Sequence, residues 1–167
     1  VVHITSDPVL LTKTQKKQEK VVFGVLQEFA RSGLIDGLWL LSNQQIQSWV
    51  GEDSIGSYYD KINELVGYTY HMVNVLSRTT PVLDNKIEND SKTRIYSLGL
   101  VDFDSGEEKV FFPIDNEDNR CYYYAVNNKQ LEEDYKVLKK VNKQVKEKMS
   151  DLQGASYQIH STKYETN

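Results

Sequence analysis

The spacing of apolar and polar residues changes period several times along the chain, and each change marks an element. Val1-Val2-His3-Ile4-Thr5 reads as a buried strand that begins without a lead-in, as a fragment or processed chain would, and Ser6-Asp7-Pro8 reads as the turn after it. From about Thr14 to Ser32, Val21, Val22, Val25, Leu26 and Phe29 recur at spacings of three and four. Lys16, Lys17, Lys20 and Glu28 take the other side, which predicts an amphipathic helix. Gly33 fits its stop. Leu38-Trp39-Leu40-Leu41 is continuously apolar, the pattern of a strand covered on both faces in a parallel sheet. Strand, helix and strand in this order predict a parallel βαβ unit.

Residues 44–54 read as a connection or short helix, with Asp53 or Ser54 available to cap the next helix. That helix is long, predicted over about 55–79. Its apolar and aromatic positions, from Ile55 and Tyr58 to Val73 and Leu76, cover more than half the circumference. A helix apolar on most sides is expected to run through the middle of the molecule. Pro81 ends it, and residues 82–93 are polar and acidic.

The period then falls to two. Residues 94–103 predict a strand, 104–107 a turn and 109–114 a returning strand, together a hairpin. A further turn at 115–119 leads to a strand over 120–126, a helix over 129–150 and a last strand over 155–160. The chain thus divides near residue 80, with an α/β piece first, a sheet-and-helix piece second, and the long helix joining them.

Composition narrows the classes. The 167 residues are 39% hydrophobic with eleven tyrosines, enough for a core, so disorder is disfavoured. A net charge of −4 makes the chain a poor general binder of nucleic acid or anionic membrane. No apolar run approaches the roughly 20 residues of a membrane span. Cys121 is the single cysteine, which excludes an internal disulfide and suits a reducing cytoplasm. Lying in an apolar strand, it reads as a buried core thiol.

Phosphate-cradling glycine loops are missing, because the nine glycines are scattered. His3, His71 and His160 are too far apart in sequence to suggest a metal site. The informative residues sit at strand ends and on the long helix. Asn43 follows the second strand at its carboxyl end, where open α/β sheets bind ligands, and an amide suits a purine edge. Asn63 lies within an otherwise apolar helix. A buried amide there needs a partner, since leaving it unpaired costs about 1–3 kcal/mol. Tyr59 stands one turn earlier on the same face and offers a stacking ring.

Three segments resemble the tubulin/FtsZ family of GTPases. Asp36-Gly37-Leu38-Trp39-Leu40-Leu41-Ser42-Asn43 is similar to the strand that ends in a guanine-contacting Asn, and Tyr59-Asp60-Lys61-Ile62-Asn63-Glu64-Leu65-Val66 is similar to the central helix. Asn85-Lys86-Ile87-Glu88-Asn89-Asp90 resembles the acidic loop whose last acid reaches the nucleotide of the next subunit, with Ile87 where the family usually has Asp. The shortened second half is closest in layout to the plasmid- and phage-encoded TubZ type, although the long C-terminal helix usual there does not follow.

The resemblance implies an α/β chain: the end of a parallel-sheet GTPase domain (1–80 with the central helix), a catalytic loop (81–93), and a smaller mixed-sheet α+β activation domain (94–167). It implies GTP/GDP and Mg²⁺ as cofactors, guanine held by Asn43, Tyr59 and Asn63, and hydrolysis assisted by Asp90, Glu88 and Asn85. The phosphate-binding loop would precede Val1, so this segment alone is expected to be inactive. Partners would be identical subunits in head-to-tail filaments and a DNA-bound adaptor for plasmid or phage partition, with neither nucleic acid nor membrane bound directly, in the cytoplasm. Glu19 and Lys20 fall in a suitable region for further contacts but do not align with the family. The alternative is a non-catalytic α/β scaffold that binds a protein partner through the lysine-rich face of Lys136, Lys139, Lys140, Lys143 and Lys146.

Overall fold

The computed structural model describes residues 1–50, 55–85, 94–133, 135–149 and 154–162. In chain order the elements are β1 (Val2–Thr5), α1 (Lys13–Ser32), β2 (Leu38–Ser42), α2 (Asn43–Val50), α3 (Ile55–Leu76), β3 (Leu83–Asp84), β4 (Ile95–Ser97), β5 (Gly99–Val101), β6 (Glu108–Val110), β7 (Asn119–Asn127), α4 (Asn128–Glu133), α5 (Tyr135–Met149) and β8 (Gly154–Thr162). They form a mixed α/β arrangement with several small sheets. Two compact units are present: Val1–Tyr70 with Ser91–Ile114, and His71–Asp90 with Asp115–Asn167. This partition differs from a simple division near residue 80, because 94–114 belongs with the first unit and the boundary falls inside α3.

In the first unit, local signals set α1 cleanly. Thr12 caps its start through a reciprocal box, with Gln15 N–H donating to Thr12 Oγ1 and Thr12 N–H to Gln15 Oε1. Gly33 ends it at φ 80°, the left-handed conformation that glycine adopts without a Cβ penalty. β1 and β2 pair in parallel, with His3 opposite Leu40. Ala30 of α1 and Leu38 and Leu40 of β2 are buried together, packed with Phe23, Leu26 and Ile95. Fully burying one such leucine stabilises the fold by about 1.5–3 kcal/mol.

The predicted 94–103 strand is broken. β4 joins β2 in parallel, whereas β5 turns away to pair antiparallel with β6. The break occurs at Leu98, whose carbonyl accepts from Phe111 N–H at 2.8 Å, while Ser97 Oγ accepts from Phe112 N–H at 3.0 Å. Both Leu98 and Phe111 are buried. The sharing of one short segment between two sheets is a tertiary outcome that an alternating pattern does not encode. At Gly99 a Cβ would lie 2.9 Å from the Lys109 carbonyl oxygen, so the hairpin requires glycine's small profile there.

α3 does not have the central burial expected of it. Ile62 and Thr69 are its buried residues among those described, whereas Tyr59, Tyr68 and Tyr70 are exposed. One stripe at helical spacing faces inward, and the tyrosines, apolar in body and polar at the tip, tolerate water on the other sides. Thr69 satisfies its hydroxyl by donating to Leu65 O at 2.8 Å.

In the second unit β8 is the central strand of β3-β8-β7, antiparallel to β3 and parallel to β7. The predicted 129–150 helix is found as α4 and α5, which connect the two parallel strands. Tyr122, Tyr124 and Val126 of β7 and Ala155, Tyr157 and Ile159 of β8 are buried on one face, together with Val141 and Val145 of α5. The tyrosine hydroxyls find partners, Tyr124 on Gln144 Oε1 and Tyr157 on Asn142 Oδ1. Cys121 corrects an expectation: it is exposed, because it lies on the opposite face of β7, two residues before Tyr123.

Candidate functional site

The carboxyl ends of β1 and β2 in the first unit place the polar residues that matter. β1 runs into Ser6 and Asp7. Ser6 N–H donates to the Glu19 carboxylate at 2.6 Å, tying the strand end to α1. Asp7 Oδ1 accepts from Val9 N–H at 2.8 Å, and Leu10 N–H returns to Asp7 O, which fixes the turn. β2 passes into α2 without an intervening loop. Ser42 Oγ accepts from Gln45 N–H at 3.2 Å as a cap, leaving Asn43, partly buried, as the first residue of the helix.

The start of α3 contributes an aromatic pair. The rings of Tyr58 and Tyr59 meet edge to face at 5.2 Å between centroids. The Tyr58 phenol pKa is raised, first by partial burial, then by Tyr59 and by the Asp7 carboxylate. Tyr59 is 57% exposed. One turn on, Asn63 is exposed as well, which overturns the argument that a buried amide there demands a partner. Its neighbour Ile62 takes the inward position instead. Tyr59 and Asn63 thus share an open face of the helix.

The predicted catalytic residues fare differently. Asp90 and Glu88 lie outside the described residues. Asn85, in the second unit, is held by Tyr157: its amide oxygen accepts from Tyr157 N–H at 2.6 Å, and its N–H donates to Tyr157 O at 3.1 Å. That pair extends the β3–β8 ladder by one step, so the structure gives Asn85 a structural role. Asp7, Glu19 and Tyr58 were not among the predicted site residues. The Ser6-Asp7-Pro8 turn directly after a strand was the signal that pointed to the first of them.

The Tyr58–Tyr59 ring pair and the exposed Asn63 amide of α3 offer a stacking surface and a hydrogen-bonding group to a flat ligand. The same residues do not fit phosphates or a magnesium ion. Among the described residues no glycine-rich cradle lies here, and no group of three His, Cys, Asp or Glu gathers as metal ligands. No described helix is long and apolar enough to cross a membrane. No family model, no curated protein and no solved structure matches the chain.

Proposed function

We propose that the chain provides the base-binding side of a guanine-nucleotide site in a GTP-hydrolysing, tubulin-like protein that assembles head to tail in the cytoplasm. The observation that carries this reading is the exposed face of α3 in the unit that holds the parallel β1–β2–β4 sheet, where the Tyr59 ring stands one turn from the Asn63 amide. Tyr59 would stack on the base, and Asn63 and Asn43 would read its edge. The resemblance of 36–43 and 59–66 to the family's strand and central helix supports the choice of guanine. Phosphates and Mg²⁺ would be held by groups outside the described residues. Asp90, assisted by Glu88, would act on the nucleotide of the adjacent subunit, so hydrolysis would require assembly. Such heterologous contacts build open filaments, suited to moving plasmid or phage DNA through an adaptor.

The test is titration of the intact protein with a fluorescent guanine nucleotide, beside Tyr59→Ala and Asp90→Ala. The reading expects weakened binding in the first variant, and binding and assembly without turnover in the second. Unchanged affinity in Tyr59→Ala, or ordinary turnover in Asp90→Ala, would overturn it.

A further inference from the structure

Charge is strongly segregated in this chain. α5 carries six lysines against one glutamate, a net of +5, within a chain of −4, so the remaining residues together carry −9. The apolar face of α5 is already committed. Val141 and Val145 are buried, and Asn142 accepts the Tyr157 hydroxyl of β8 at 3.1 Å. The outer ridge is different. Tyr135, Lys139, Lys143 and Lys146 succeed one another at spacings of four, four and three, and with Leu138, Asn142 and Glu147 they line a shallow open groove. Tyr135 is 71% exposed, with the Lys139 ammonium 5.3 Å from its ring centroid. Lys143 stands 3.8 Å from Glu147, both well exposed, a pairing worth little in water.

We propose that this ridge docks a short acidic segment of a partner protein. Its carboxylates would lie along Lys139, Lys143 and Lys146, and one apolar side chain would sit against Tyr135 and Leu138. An exposed tyrosine beside cations is the residue type that anchors interfaces, and charge complementarity guides the encounter. The other polyanions fit less well. An anionic bilayer is bound by a basic helix that inserts its apolar face, and here that face is packed on β8. A nucleic-acid duplex carries its charge continuously beyond the roughly 22 Å of this helix. Outside α5 the chain carries a net charge of −9, which disfavours a polyanion longer than the helix. A segment matched to the ridge avoids that repulsion. This inference concerns the second unit and does not depend on the nucleotide reading.

The experiment measures fluorescence anisotropy of a labelled ten-residue peptide, glutamate-rich with one central phenylalanine, on addition of the whole chain. Control peptides carry Gln for Glu or Ala for Phe. Expected are saturable binding that weakens at least about tenfold with added salt, a comparable loss in Lys139→Glu/Lys143→Glu and in the milder Lys139→Gln/Lys143→Gln, and a smaller loss in Tyr135→Ala. Circular dichroism keeps folding separate from binding. Three outcomes would overturn the proposal: no binding at low salt, equal binding by the charge variants, or tighter binding of a short DNA duplex or of phosphatidylserine vesicles than of the peptide. Loss of nucleotide affinity in Tyr59→Ala tests the other reading and leaves peptide binding untouched.

Discussion

Asn85 and Tyr157 exchange a pair of hydrogen bonds in which a side-chain amide takes the place of a strand residue: Tyr157 N–H donates to Asn85 Oδ1 at 2.6 Å, and Asn85 N–H donates to Tyr157 O at 3.1 Å. The short β3 is thereby anchored to the central β8. Asn85→Ala is expected to leave the Tyr157 N–H without its partner and to lower unfolding stability by about 1–2 kcal/mol, read as a shifted urea midpoint. Asn85→Asp keeps the acceptor and should lose less. Equal stability in Asn85→Ala and the parent chain would show that the bond is replaced by water without cost.

The open face of α3 separates binding from folding. Because Tyr59 is exposed, Tyr59→Ala should leave thermal stability within about 0.5 kcal/mol. Its effect on guanine-nucleotide affinity should be about fivefold or more, since stacking of a base on an aromatic contributes about 1–3 kcal/mol. Asn63→Ala should show the same division. A variant that unfolds as readily as it loses ligand would move these residues from the site to the core.

His160 predicts a pH dependence with a definite sign. The residue is 3% exposed, with Nδ1 3.0 Å from Thr79 Oγ1, Nε2 3.3 Å from Gln158 Oε1, and the Tyr123 ring nearby. Burial lowers the His160 pKa below the ordinary value of about 6.5. The unfolded chain therefore binds the proton first as pH falls, and the stability contributed by the neutral ring, fully present above about pH 6.5, is lost on acidification toward the lowered folded pKa. Urea unfolding at a pH above and a pH below that value should show the loss in the parent chain and a smaller one in His160→Gln. An equal loss in both would assign the pH dependence to other groups.

Cys121 is accessible where its sequence context suggested a core thiol. The native chain should react fully with an aromatic disulfide reagent, without denaturant, and a protected thiol would contradict its placement on the outer face of β7. Tyr123, on the same face, has its phenol pushed up to about 12, by burial first and then by its interaction with Cys121. Blocking the thiol should therefore lower the midpoint of the Tyr123 titration monitored by ultraviolet absorbance.

The sequence by itself determined the elements whose causes are local. Gly33 stops α1, and the unbroken apolar run of β2 announces a strand covered on both faces. Tertiary structure decided the rest. It split the 94–103 strand at Leu98 between two sheets, with Leu98 and Phe111 both buried at the break. It left Tyr59 and Asn63 in solvent, since periodicity shows that residues share a face but not whether anything lies against that face. It also gave Asn85 to Tyr157, a residue 72 positions away, and no pattern of spacing along the chain contains a bond of that range.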